Sequence, residues 1–262
     1  ILAEAADWEN ETLAGATFPS LFALMARRHM HDFGTTREHL TAVAVKNHDN
    51  AFLNPYAQFH KRISAEDVAK SAMIADPLTL YDCSPVTDGA AAVVITTREH
   101  AMDLPGRPVR VLGFGQASDS LSLFRRPEMT CLMATQEAAK RAFKMAGIGP
   151  QDVSLAEVHD CFTIAEIIAT EDLGFFPRGQ GGPAVLAGET TRGGSIPVNP
   201  SGGLKGKGHP VGATGVSQIV ESTFQLRGAA GERQVAGAHT ALTHNVGGSG
   251  ATCVVTLLGK DA

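Results

Sequence analysis

The sequence predicts an α/β fold built of mixed sheets and buried helices. Leu155-Ala156-Glu157-Val158 reads as a short strand that runs into a helix with Ile164, Ile167 and Ile168 on one stripe. Thr130 to Gly147 reads as an amphipathic helix, with Leu132, Ala139, Ala142, Phe143 and Ala146 sharing a face. Two closing segments, Gln234 to Ala238 and Thr252 to Leu258, read as strands flanking a loop that holds His244. The 28 glycines beside only two tyrosines suit a Gly-rich enzyme of this class, whose backbone approaches ligands closely.

Residues 1–80 read as mostly helical and irregular. Phe18, Leu21, Phe22, Met25 and Met30 recur near helical spacing. Thr35, with Glu38 three residues on, marks the next helix start, and Leu40, Val43 and Ala44 its buried side. Asn54-Pro55 marks a loop, and Ser64 caps a further short helix. Small residues from Asp88 to Ala92 lead into Val93-Val94-Ile95, the pattern of a buried strand. The Pro/Gly-rich stretch Leu104 to Pro108 is the best linker, and a strand from Val109 to Phe114 opens the C-terminal domain. Lys140, Arg141 and Lys144 load the C-terminal turns of the 130–147 helix, and Gly147 stops it. Residues 176–208 form a long Gly/Pro-rich excursion, a kind of loop that is usually functional or disordered. The helix after Pro210 is expected to bury Val216, Ile219 and Val220 and to end at Arg227-Gly228.

Composition narrows the function. A length of 262 residues with 44% apolar and 19% charged content describes a globular chain of one or two domains. The net charge of −5 argues against a nucleic-acid partner. Arg125-Arg126 and Lys205-Gly206-Lys207 read as solvated loop charges. No apolar run approaches the length of a membrane span, so no membrane association is expected. Cys83, Cys131, Cys161 and Cys253 are scattered without a Cys-x-x-Cys pair, which suggests neither a metal site nor a disulfide framework. A reducing, cytoplasmic setting is the natural reading.

Two motifs carry chemistry: Val158-His159-Asp160-Cys161-Phe162 and Gly208-His209-Pro210-Val211-Gly212-Ala213-Thr214-Gly215. They supply two imidazoles and a thiol, each at the start of a helix, where unpaired N–H groups favour a thiolate. His209, in a tight turn with Pro at the first helical turn, is the candidate base that activates a thiol at neutral pH. Cys161 is the candidate acid/base, the other reading being a small buried hydrophobe. His159 is the candidate oxyanion donor, a role implied by resemblance to a known family, the other reading being a core histidine bonded to Asp160 or a carbonyl. His244 is a candidate for the same pocket as His159, and backbone N–H groups near Gly247 are candidates to complete a second oxyanion hole. Proton exchange between His209 and Cys161 predicts a bell-shaped rate profile with pH dependence between about 6 and 9. Cys83, Cys131 and Cys253 read as buried hydrophobes, and the other seven histidines as surface or structural groups.

These motifs resemble the thiolase superfamily, and His-Asp-Cys-Phe resembles its sterol-carrier-type branch. Supporting segments stand in family order: Ala42 to His48, Asp82 to Ala92, Asn199-Pro200-Ser201-Gly202-Gly203, and His244 to Gly250. The resemblance implies a layered αβαβα thiolase-like fold. It assigns residues 1–80 to a loop-domain-like region, 81–104 to the end of the N-terminal domain, and 107–262 to the C-terminal domain. It implies a thiolase-type acyl-CoA acyltransferase, by Claisen condensation or thiolysis, active in lipid metabolism. Coenzyme A enters as substrate, with no metal and no separate cofactor. Asn199, Gly202 and Gly203 belong to the loop expected along the pantetheine arm. The nucleophilic cysteine lies in a thiolase segment that this sequence does not contain, so an N-terminal portion or chain is an expected partner. A homo- or hetero-oligomer and a small OB-fold, zinc-ribbon partner are further expectations. Two alternatives remain: a retro-aldol lyase acting on 3-hydroxyacyl-CoA, and a non-catalytic acyl-CoA-binding scaffold.

Overall fold

A four-stranded mixed sheet and a set of N-terminal helices share one core, and the two histidine-bearing motifs lie where the two meet. The computed structural model describes residues 5–260. In chain order the elements are α1 (Phe18–Phe33), α2 (Arg37–Phe52), α3 (Ala65–Lys70), β1 (Met73–Ala75), β2 (Leu78–Thr79), α4 (Arg98–Met102) and β3 (Val109–Ser118). They continue with α5 (Met133–Ala146), β4 (Leu155–Glu157), α6 (Thr163–Asp172), α7 (Gly181–Leu186), α8 (Gly203–Lys207), α9 (Thr214–Arg227), β5 (Thr240–Gly247) and β6 (Thr252–Lys260). The main sheet has the order β3-β6-β5-β4, antiparallel except for the parallel β5–β4 pair. β1 and β2 form a separate small hairpin.

Packing is governed by residue size. Helix α5 presents Ala138, Ala142 and Ala146 to Gly113 and Gly115 of β3, where an added Cβ would overlap the helix backbone. That close approach explains why alanines, rather than bulky side chains, form the face. Helix α6 is buried at every position, and Ile164, Ile167 and Ile168 join Phe22, Met25, Leu40 and Val43 in a core that reaches Val255 and Leu257 of the sheet. Thr17, Ser64 and the left-handed Gly147 terminate their helices as capping chemistry requires.

Several expectations fail for identifiable reasons. Thr36, not Thr35, caps α2, because the Thr35 hydroxyl is 2.6 Å from Nδ1 of buried His29, whose Nε2 meets Glu171 at 3.1 Å. Val93-Val94-Ile95 forms no strand: no described strand lies beside it to complete a ladder, and Val94 and Ile95 are 88% and 79% exposed. Gln234 to Ala238 is not a strand either. Gln234 spends its side chain on Gln225 O and Ala230 N, and Gly237 turns the chain with φ 70°. The strand begins at Thr240, so His244 lies in β5 rather than in a loop. Helix α9 turns a polar face inward: Thr214, Gln218, Glu221, Ser222 and Gln225 are buried, whereas Val216, Ile219 and Val220 are half-buried. The 176–208 excursion is packed, with α7 and α8 inside it. Arg126 and Lys205 are not solvated: the Arg126 guanidinium bonds Ser249, and Lys205 Nζ donates to Cys83 O. Among the described residues no helix is long and apolar enough to cross a membrane.

Candidate active site

Strand β4 ends beside β5 on one side and Val198 on the other, and the chain then delivers His159, Asp160 and Cys161 before α6 begins. A buried polar network fixes this turn. Asp160 accepts hydrogen bonds from Leu204 N (2.6 Å), Lys205 N (3.3 Å) and Asn47 Nδ2 (2.7 Å). Asn47 also donates to Glu166, which is paired with Lys46 Nζ at 3.0 Å. Asn199, held at φ 54°, accepts from Val158 N and donates to Glu166. Buried carboxylates survive here because cations and N–H donors surround them. The same network answers for the loop expected to line a substrate channel. Asn199, Gly202 and Gly203 are buried and face Glu166, Ala51 and Asp160, so they brace the motif from beneath.

Three imidazoles converge above that brace. The His159 and His209 rings lie edge-on with centroids 5.0 Å apart. The His209 N–H donates to Thr87 Oγ1 at 3.0 Å, and its Nδ1 lies 2.7 Å from Thr214 Oγ1. Asp160 is committed to α8 and Asn47, and His159 Nδ1 is buried with no partner among the described residues. His244 Nδ1 accepts from His159 N at 3.3 Å, so its proton sits on Nε2, which meets Thr135 Oγ1 at 3.0 Å. With both nitrogens engaged, His244 steadies the His159 backbone and has no donor left for a substrate oxygen. Gly247 lies three residues on along β5, about 10 Å of extended strand away.

Electrostatics separate the roles. Burial, then Lys207, lowers the His209 pKa to about 4. Burial, then His209 and His244, holds His159 well below the ordinary imidazole value. Both rings are therefore neutral at pH 7, the state in which an imidazole can take up a proton or offer an N–H. Cys161 Sγ is buried, and burial followed by Asp160 pushes its thiol far above the ordinary range. The N–H groups of Phe162 and Cys161 pull the other way but do not win, so the thiolate expected from the helix start gives way to a protonated thiol. No hydrogen bond among the described residues joins Cys161 Sγ to either histidine. Its carbonyl accepts from Ser84 N at 2.9 Å, which ties the motif to the Asp82–Ala92 segment.

Sequence reasoning missed Thr214, Thr87, Thr135, Lys46 and Asn47. Thr214 and the Lys46-Asn47 pair sit within segments already singled out, yet only the fold aims them at the motif. A cavity of about 730 Å³ lies elsewhere, lined by residues that include Arg28, His31, Phe33, Arg126 and Arg178, and His159, His209 and His244 do not line it. Among the described residues no group of three or more His, Cys, Asp or Glu is arranged to hold a metal.

Known proteins resemble this chain in sequence and in fold. Residues 4–99 match the family model of the thiolase N-terminal domain, and residues 115–260 that of the thiolase C-terminal domain-like family. The chain is 52% identical over 259 residues to an acetyl-CoA acetyltransferase of Methanothermobacter thermautotrophicus, covering 99% of this chain and 68% of that protein. It is 41% identical to sterol carrier protein 2 of Rattus norvegicus, covering 91% of this chain and 44% of that protein. A solved structure titled Ltp2-ChsH2(DUF35) aldolase superposes with a TM-score of 0.89 at 28% identity, covering 99% of this chain and 68% of that one.

Proposed function

The chain belongs to the thiolase family, and from that premise we propose that it supplies the proton-transfer machinery of an acyl-CoA acyltransferase. The observation that carries the reading is the pair of neutral imidazoles, His159 and His209, meeting at 5.0 Å above a rigid polar brace. Condensation or thiolysis needs a nucleophilic thiol, a base for it, an acid/base at the substrate, and donors for the thioester oxygen. His209 takes the proton of the nucleophilic thiol. The thiolate attacks the acyl carbonyl, and the CoA thiolate leaves. Cys161, held protonated, moves a proton at the substrate α-carbon or the incoming thiol. His159 offers an N–H to the thioester oxygen.

None of the four cysteines here suits the acyl-accepting role. Burial raises Cys83 to about 11, Cys131 to about 12 and Cys253 to about 12, and Cys161 further still. We therefore assign acyl acceptance to a thiol outside residues 1–262, on an N-terminal thiolase portion or chain. Coenzyme A is read as substrate, with no metal or separate cofactor. A cytoplasmic homo- or hetero-oligomer in lipid metabolism, with a small OB-fold, zinc-ribbon partner, completes the proposal.

A retro-aldol reading stands second, supported by the aldolase title of the similar solved assembly. That chemistry has no use for both a thiol-activating histidine and a second thiol, which this chain retains. The test assays thiolysis of acetoacetyl-CoA and cleavage of a branched 3-hydroxyacyl-CoA side by side. Thiolysis abolished by His209→Ala supports the acyltransferase. Cleavage of the hydroxyacyl substrate alone, insensitive to Cys161→Ala, favours the lyase.

A further inference from the structure

We infer that Thr214 is a positioning residue that keeps the ring proton of His209 on Nδ1 and so leaves Nε2 free to act as the base. The inference rests on the reading of His209 as the base, and adds the group that sets its tautomer. A threonine hydroxyl has one proton to give and lone pairs to receive. Thr214 Oγ1 is 3.0 Å from Pro210 O, four residues back along the start of α9, and 2.7 Å from His209 Nδ1. A carbonyl oxygen can only accept. If the hydroxyl gave its proton to Nδ1, two bare oxygens would face each other at 3.0 Å. Both contacts are hydrogen bonds only when the hydroxyl donates to Pro210 O and accepts from His209 Nδ1–H.

The surroundings leave this arrangement in control. Thr214 is 1% exposed, so water does not compete for its hydroxyl. The other anchor on His209 acts on its backbone: Thr87 accepts the His209 N–H and passes its own proton to Gln58 Oε1 at 2.5 Å. The ionisable groups near the ring are His159 and Lys207, and no described carboxylate bonds it. A hydroxyl therefore takes the place in which a carboxylate often orients a catalytic histidine. It fixes the tautomer without the negative charge by which a carboxylate stabilises the imidazolium.

The test uses the catalytically active protein that contains residues 1–262, labelled with ¹⁵N-histidine and examined by solid-state NMR at pH 7. His209 signals are assigned by difference against His209→Gln. Wild type and Thr214→Ser are expected to show a protonated Nδ1 and an unprotonated Nε2. Thr214→Val, which keeps the shape and loses the hydroxyl, is expected to show mixed tautomers. Its single-turnover acylation should slow about 10–100-fold, part of the 10²–10⁴ that a general base contributes. Thr214→Ser should restore most of that rate, which separates the hydroxyl from packing. A proton on Nε2 in wild type, or a wild-type tautomer in Thr214→Val, overturns the inference. A tautomer that follows Thr214 with acylation unchanged supports the tautomer assignment and overturns His209 as the base.

Discussion

Gly203 has φ 60°, and a Cβ there would overlap the Asp160 carboxylate that pins the His-Asp-Cys turn. Gly203→Ala should therefore destabilise by roughly 1–3 kcal/mol from backbone strain alone, with added cost from displacing Asp160. Urea denaturation measures this, and an unchanged midpoint would count against the brace. At this scale the sequence was legible where chemistry needs a rare residue type. His159 and His209 stand out because imidazole in a turn at a helix start has few structural uses. The roles of Asn199, Gly202 and Gly203 were not legible. A Gly-rich loop reads alike whether its backbone approaches a ligand or, as here, a buried carboxylate. The contacts of His244 were hidden for a related reason: a histidine with both ring nitrogens spent on Thr135 and the His159 backbone looks, in one dimension, like a free one.

Elements with a single apolar face were read well, and those whose burial depends on polar partners were not. Helices α1 and α5 and strand β3 match their periodicity. Helix α9 does not, because Gln218 donates to His244 O and Glu221 pairs with buried Arg233 at 2.8 Å. Hydrophobic spacing has no term for an inward polar stripe that is satisfied by the neighbouring strand. Arg233→Ala should cost about 3–5 kcal/mol, since it leaves Glu221 buried without its cation. Arg233→Ala combined with Glu221→Gln should recover part of that loss. A single variant as stable as wild type would show the pair to be dispensable. The Val93–Ile95 segment failed differently: its strand pattern is real, but a strand needs a neighbour, and none is described beside it.

For the whole molecule, buried ionisable groups pull the pH dependence of stability in opposite directions. His48 and His209 fall to about 4 and His244 to about 3, mainly through burial. Their contribution is complete above the unfolded imidazole value and is lost as pH falls from about 6.5 through about 4. Burial raises Asp172 to about 7, and raises Glu157 and Asp160 as well. Their contribution is complete below the unfolded carboxylate value and is lost as pH rises through the folded one. Asp172→Asn should therefore gain on wild type as pH rises from about 4 to 7. At about 1.4 kcal/mol per pKa unit, the relative gain is of the order of several kcal/mol. Denaturant melts at both ends of that range measure it, and a constant difference would contradict the shift. Val86, Val94 and Ile95 are exposed at 93%, 88% and 79%, and apolar side chains left open to water invite aggregation. Residues 1–262 expressed alone should be insoluble or molten, and rescued by a co-expressed N-terminal thiolase portion. A monomer that melts cooperatively by itself would refute this.

Above all, this chain is proposed to move protons while the acyl group rides on a thiol elsewhere. Trapping the active enzyme with radiolabelled acetyl-CoA, then locating the label by peptide mass, tests that division of labour most directly. The expected result is label on no peptide of residues 1–262, with Cys161→Ala still acylated but turning over about 10²–10⁴ times more slowly. Label on the peptide carrying Cys161 would contradict it and make that thiol the nucleophile.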